Sequence, residues 1–159
     1  SAALVPTYIL EEKVTARALA RLQELAETRE PDFHELLCFN RLFERAGDEL
    51  KVQLAEPLRN LILAAVSINP GEWGGYVCTP LTFVQAPDDP FADLFDPSVL
   101  EANLDHIERT ISGDHWEPTW NWGDTYPDAW EVARREWSGK ITADNLLILR
   151  AFGRLEPAQ

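Results

Sequence analysis

Basic residues are scarce in this chain: 14 Lys and Arg stand against 27 Asp and Glu, a formal net charge of -13 at pH 7. That balance excludes nucleic acid as a partner, because duplex binding rests on Lys and Arg neutralising phosphates. An anionic membrane surface is disfavoured for the same reason. Cysteine is scarcer still. Cys38 and Cys78 are too few for a disulfide framework and lack C-x-x-C spacing, so they read as reduced thiols of a cytoplasmic protein, with a single bridge between them as the alternative. No run of 18 apolar residues exists; the best candidate, Leu58 to Ile68, has 11 residues and contains Arg59 and Asn60, so no membrane span is expected. Methionine is absent and no signal-peptide pattern opens the chain. Its start, Ser1-Ala2-Ala3, is expected to be a remnant of expression, and the chain a piece of a longer protein. Gly and Pro follow no short repeat, which excludes a collagen-like fibre. A nucleophile elbow, a Walker loop and a dinucleotide fingerprint are all missing, and Gly71-Glu72-Trp73-Gly74-Gly75 has neither the spacing nor the strand-to-helix context of a phosphate loop.

What is present suits one globular domain over residues 1–159, since 45% of the residues are hydrophobic, 26% charged and 10% aromatic. A chain of this length buries roughly 68–70% of its unfolded surface without needing a disulfide or a metal. The charge is uneven. Ala86 to Glu131 holds twelve acids against the single base Arg109, while residues 132–159 carry +2. Such a run is ordinarily a solvated face; an acidic middle beside a mildly basic end also suits a cation or a basic partner.

Hydrophobic spacing predicts an all-α fold of antiparallel helical hairpins, about six helices in all. Leu10, Val14, Ala18, Leu22 and Leu25 make a stripe over Ile9 to Glu27, broken at Thr28 to Pro31. Pro31-Asp32 opens a second helix that Gly47 stops, and Asp48 caps a third, kinked or restarted at Pro57. Asn69 to Pro90 is too broken for a helix and predicts a long ordered loop with an extended piece at Tyr76 to Val84. Asp96-Pro97-Ser98 with Glu101 gives two overlapping start signals for a fourth helix, expected to end at Ser112. A fifth runs from Pro127 to Ser138 and, after Gly139, Thr142 caps a sixth, with Ile141 stapled against Leu146.

Several stretches together carry a resemblance. They are Phe33 to Cys38, Gly75 to Val84 with Pro90 and Leu94-Phe95 beyond it, Leu104-Asp105 followed by Gly113-Asp114-His115-Trp116-Glu117-Pro118-Thr119-Trp120, and Glu136-Trp137 through to Leu149 to Leu155. Their order resembles the C-terminal half of bacterial proteins similar to the terpenoid cyclase and prenyltransferase superfamily, whose fold is an α/α toroid of helical hairpins. The resemblance implies that the chain is part of such a toroid. In that superfamily a helix ends in Gln, a short Asp-Gly turn and Trp; here Asp114 and Trp116 match, the Gln is missing and His115 stands in for a small residue. Neither a D-x-D-D acid motif nor a D-D-x-x-D run for magnesium diphosphate is present.

The candidate ligand-binding residues are aromatic and cluster in two loops: Trp73 and Tyr76 in the first, His115, Trp116, Trp120, Trp122 and Tyr126 in the second. Aromatic faces among acids suit a sugar or an apolar chain, and the same rings equally suit hairpin joints as core. Asp114 and Glu117, with Asp124, are candidates for a general acid and base, against a reading as solvated loop acids and caps. His34 and Cys38, one helical turn apart, with Cys78 or His115 recruited to them, make only a weak zinc signal, and a packing Cys beside a satisfied His is the better account; no metal and no cofactor is expected. His106, beside Asp105 and Arg109, reads as surface charge. Three functions follow: a domain binding a small apolar or saccharide ligand in an aromatic, acidic groove; an enzyme of the cyclase or prenyltransferase kind; or an interaction module packing against a missing N-terminal half or another copy of itself.

Overall fold

Amphipathic stripes of the spacing seen in the sequence close into helices wherever an apolar face finds a partner. The structure, a computed structural model, describes residues 7–28 and 32–155, the first five by backbone alone; Ser1-Ala2-Ala3, Pro31 and the side chain of Leu10 lie outside that description. Among the described residues the fold is all-helical, with five α-helices and three 3-10 turns, and the chain divides into two units, residues 1–65 and 66–159.

The first unit holds α1 (Thr7–Thr28), α2 (Phe33–Arg45) and α3 (Asp48–Ala65), with α3 packed against both others. Leu22 and Leu25 of α1 are buried, whereas Val14 of the same stripe is exposed. The Asp32 carboxylate caps α2 by accepting the His34 N–H at 2.9 Å, and Leu36, Phe39 and Phe43 form its buried face. Gly47 opens α3 rather than closing α2: its carbonyl accepts the N–H groups of Leu50 and Lys51 at 3.1 and 3.0 Å. Asp48 therefore lies in the first turn, where its charge favours the helix dipole. Helix α3 continues through Pro57 and buries Leu54, Leu58, Leu61 and Ile62 around it. Arg21 grips Glu35 with two nitrogens, at 2.7 and 3.0 Å, and so ties α1 to α2.

The second unit begins with 3-10 turns at Pro70–Glu72, Pro80–Thr82 and Ala92–Leu94. The extended piece expected at Tyr76 to Val84 shrinks to a single parallel bridge between Val66 and Cys78, because Pro80 starts a turn in which the Thr82 hydroxyl accepts the Thr79 N–H at 3.2 Å. Helix α4 (Pro97–Arg109) follows. Of its two start signals the proline wins: the Asp96 carboxylate accepts both the Ser98 N–H and the Ser98 hydroxyl, at 2.8 and 2.6 Å. Buried Asn103 accepts the Leu81 N–H at 3.0 Å and pins the loop to α4.

The two helices expected after Tyr126 are one, α5 (Pro127–Ala151). A glycine inside a helix costs only about 1 kcal/mol, less than the burial of Ile148 and Leu149 returns. Leu146 is exposed and Thr142 caps nothing; its hydroxyl instead accepts the Trp116 N–H at 3.0 Å. One core cluster of this unit comprises Leu81, Leu104, Ile107, Trp116, Ile148 and Leu149, and Phe83, Val84 and Phe91 are buried as well. It engages the second half of α5 alone, for before Ile141 the helix buries only Ser138.

Candidate functional site

Helix α4 stops three residues earlier than its stripe suggests, because the Thr110 hydroxyl turns back onto the carbonyls of His106 and Ile107. Gly113, at φ 71°, supplies the left-handed residue of the tight turn that follows. Ser112 and His115 close this turn, the Ser112 N–H donating to the His115 carbonyl at 2.8 Å. The next segment lies as a strap along the first half of α5, running the opposite way. Trp116 meets Thr142; Glu117 meets Ser138 and Arg134; Trp120 meets Trp137, ring centres 5.4 Å apart; Trp122 meets Trp130 at 5.3 Å. Trp130 and Trp137 are seven residues apart, so the two aromatic pairs are spaced by about 10.5 Å on one helix face. Tyr76 adds a third ring to the Trp120–Trp137 pair, edge-on to Trp120 at 5.6 Å.

The seven candidate ligand-binding residues separate by burial. Trp116 is a core residue, its indole N–H donating to the Ile107 carbonyl at 2.8 Å. Trp73 is buried as well, its indole N–H bound to the Ser67 carbonyl at 2.9 Å and its ring edge-on to His106. His106 is therefore no plain surface charge, and partial burial lowers its pKa, with Arg109 adding to the effect. The remaining five, Tyr76, His115, Trp120, Trp122 and Tyr126, are all reached by solvent. Trp122, Thr125 and Tyr126 line an open depression of about 460 Å³.

His115 sits between two carboxylates, with Nδ1 2.9 Å from Asp114 and Nε2 3.0 Å from Glu117. A neutral imidazole has one donor, so only the imidazolium satisfies both neighbours. Its pKa is accordingly raised, by the Asp114 bond first and the Glu117 bond second. The same contacts hold Asp114 below the usual carboxylate range, and Glu117 is lowered by His115, Ser138 and Arg134. Asp114 is wholly exposed. Both candidate carboxylates are thus kept ionised, the opposite of what a general acid needs. Asp124 and Asp128 lie exposed near the far end of the strap.

Trp130, Trp137, Arg134 and Ser138 belong to the site and were not among the candidates. The signal for them is the i, i+7 spacing of two tryptophans on α5, which matches neither a simple surface helix nor the stripe position of the core residues alone. A second open depression, about 830 Å³, lies over Phe95, Leu100 and Phe152 with Asp88, Asp93 and Glu101 among its walls. Cys38 is exposed, whereas Cys78 is buried and its thiol is pushed up to about 11; both are free. Among the described residues no group of three or more His, Cys, Asp or Glu is placed to hold a metal ion, and no helix is long and apolar enough to cross a membrane. Comparison of the chain with family models, with curated proteins and with solved structures finds no match.

Proposed function

We propose that this chain is a binding domain that takes a saccharide on the aromatic ribbon formed by the strap and the first half of α5. The observation that carries the reading is the row Tyr76, Trp120, Trp137, in which the central ring is braced from both sides while Tyr76 and Trp137 stay 55% and 40% exposed. Rigid rings with solvent-reached faces offer contact area to the C–H faces of a sugar at little entropic loss. Asp114 and Glu117, both held in the charged form, border the ribbon as hydrogen-bond acceptors for hydroxyl groups. Of the cyclase or prenyltransferase-like enzymes that the toroid resemblance implies as the alternative, a cyclase that protonates its substrate needs a protonated carboxyl group beside it, and the His115 and Arg134 contacts of Asp114 and Glu117 favour the charged form. The geometry therefore favours binding over acid catalysis.

The test is a tryptophan-fluorescence titration with a panel of neutral oligosaccharides, with farnesol as the apolar arm. Saturable quenching by a saccharide, weakened about three- to tenfold by Tyr76→Ala and by Trp137→Ala, is the expected result, each ring contact being worth about 0.5–1.5 kcal/mol. Saturation by farnesol alone moves the ligand class to apolar chains. No response from either class overturns the proposal.

A further inference from the structure

Helix α5 has a second apolar stripe, on the side away from the core and the strap. Val132, Gly139 and Leu146 recur every seven residues, with Ala143 and Leu147 beside them, and all five are exposed, the large ones at 58%, 42% and 56% for Val132, Leu146 and Leu147. Among the described residues no other helix combines such a surface with neutral charge: α5 carries four acids and four bases in a chain of net charge -13. The pattern is also symmetric about Gly139. Val132 and Leu146 lie seven residues to either side, and Asp128 and Arg150 lie eleven to either side.

We propose that α5 is the contact between two copies of this chain, paired antiparallel with Gly139 at the crossing point. A two-fold axis through Gly139 sets Val132 of each copy against Leu146 of the other and Asp128 against Arg150, so these two apolar residues and these two charges each meet a complement, while Arg135 on the same face meets Ala143. The absence of a side chain at Gly139, where an added Cβ meets nothing within 4 Å, lets the two backbones approach closely. Charge favours the surface: two copies of net charge -13 repel as wholes, and on α5 the net charge is zero. A helix of 25 residues is about 37 Å long. One such pair buries an area at the low end of specific interfaces, below about 1,200 Å², which makes the dimer weak and concentration-dependent.

Sedimentation velocity from about 5 to 500 μM at physiological ionic strength tests this on the whole chain. The expected result is a shift from monomer to twice its mass, half complete on the order of 100 μM. Val132→Glu with Leu146→Glu should abolish the shift while the far-ultraviolet circular dichroism stays unchanged, since both positions are exposed. Arg150→Asp should weaken the dimer at least fivefold, and Asp128→Arg added to it should restore at least half of the loss, a rescue that a merely structural role of either residue does not give. A chain that stays monomeric throughout, or a dimer indifferent to the Val132/Leu146 pair, overturns the proposal. Saccharide binding uses the opposite face of α5, so either result leaves that reading to its own test.

Discussion

Trp116 and Trp120 stand four residues apart in one loop, and the structure gives them opposite duties. Trp116→Ala removes a ring buried among Leu81, Leu104, Ile107, Ile148 and Leu149. Truncating a buried Phe or Trp to Ala costs about 3–5 kcal/mol, a large part of the 5–15 kcal/mol that holds a typical domain folded. Trp116→Phe separates the terms. The ring stays apolar, only the indole hydrogen bond is lost, and the Ile107 carbonyl keeps the Thr110 N–H and hydroxyl at 3.2 and 3.1 Å, so it is not left unsatisfied. That change should cost about 1 kcal/mol for the bond, plus the smaller ring's packing loss. Trp120→Ala, on a half-buried ring, should cost about 0.5–1.5 kcal/mol. All six tryptophans lie between Trp73 and Trp137, so indole fluorescence during urea unfolding reports on the second unit alone. The midpoint should fall by about 1 M or more for Trp116→Ala and by well under that for the other two. A Trp116→Ala midpoint no lower than that of Trp120→Ala would refute the assignment of Trp116 to the core.

Two further expectations follow from the titrating groups. The raised pKa of His115 means that its bonds to Asp114 and Glu117 contribute fully below its ordinary value of 6.5 and are lost as pH rises through the raised value. The lowered pKa values of Asp114 and Glu117, from 3.8 and 4.5, mean that their share is complete above those values and is lost as pH falls through the lowered ones, so the turn is held best between about pH 4.5 and 6.5. A nuclear magnetic resonance titration of the His115 ring should show a midpoint above 6.5 that drops in Asp114→Asn; a midpoint at or below 6.5 contradicts the geometry. With Ellman's reagent at pH 8, Cys38 should react at once and Cys78 only on unfolding, because burial holds the Cys78 thiol near 11. Two fast equivalents in the native protein would show that Cys78 is not buried.

Local chemistry made the helices legible and left the site obscure. Asp32 and Asp96 announce α2 and α4 because a cap is settled within three residues, by one carboxylate and the N–H groups beyond it. Gly139 misleads for the same reason: as a local signal it is a breaker, yet α5 runs through it because Ile148 and Leu149 gain a core about ten residues later. The strap is decided at longer range still. Trp116 is fixed by Thr142, 26 positions on, and Glu117 by Ser138 and Arg134, 21 and 17 positions on; nothing in the string Trp116-Glu117-Pro118-Thr119-Trp120 says which ring turns inward. The surplus of acids in the middle of the chain likewise says nothing of Glu117 in particular, whose charge is spoken for by an arginine outside that stretch. Helix α5 joins both lessons. Its two stripes, Trp130-Trp137-Ile148 and Val132-Gly139-Leu146, are equally readable as periodicity, and only the burial of Ile148 shows which faces the core. The stripe left over is therefore the surface on which association with a second copy should be sought first.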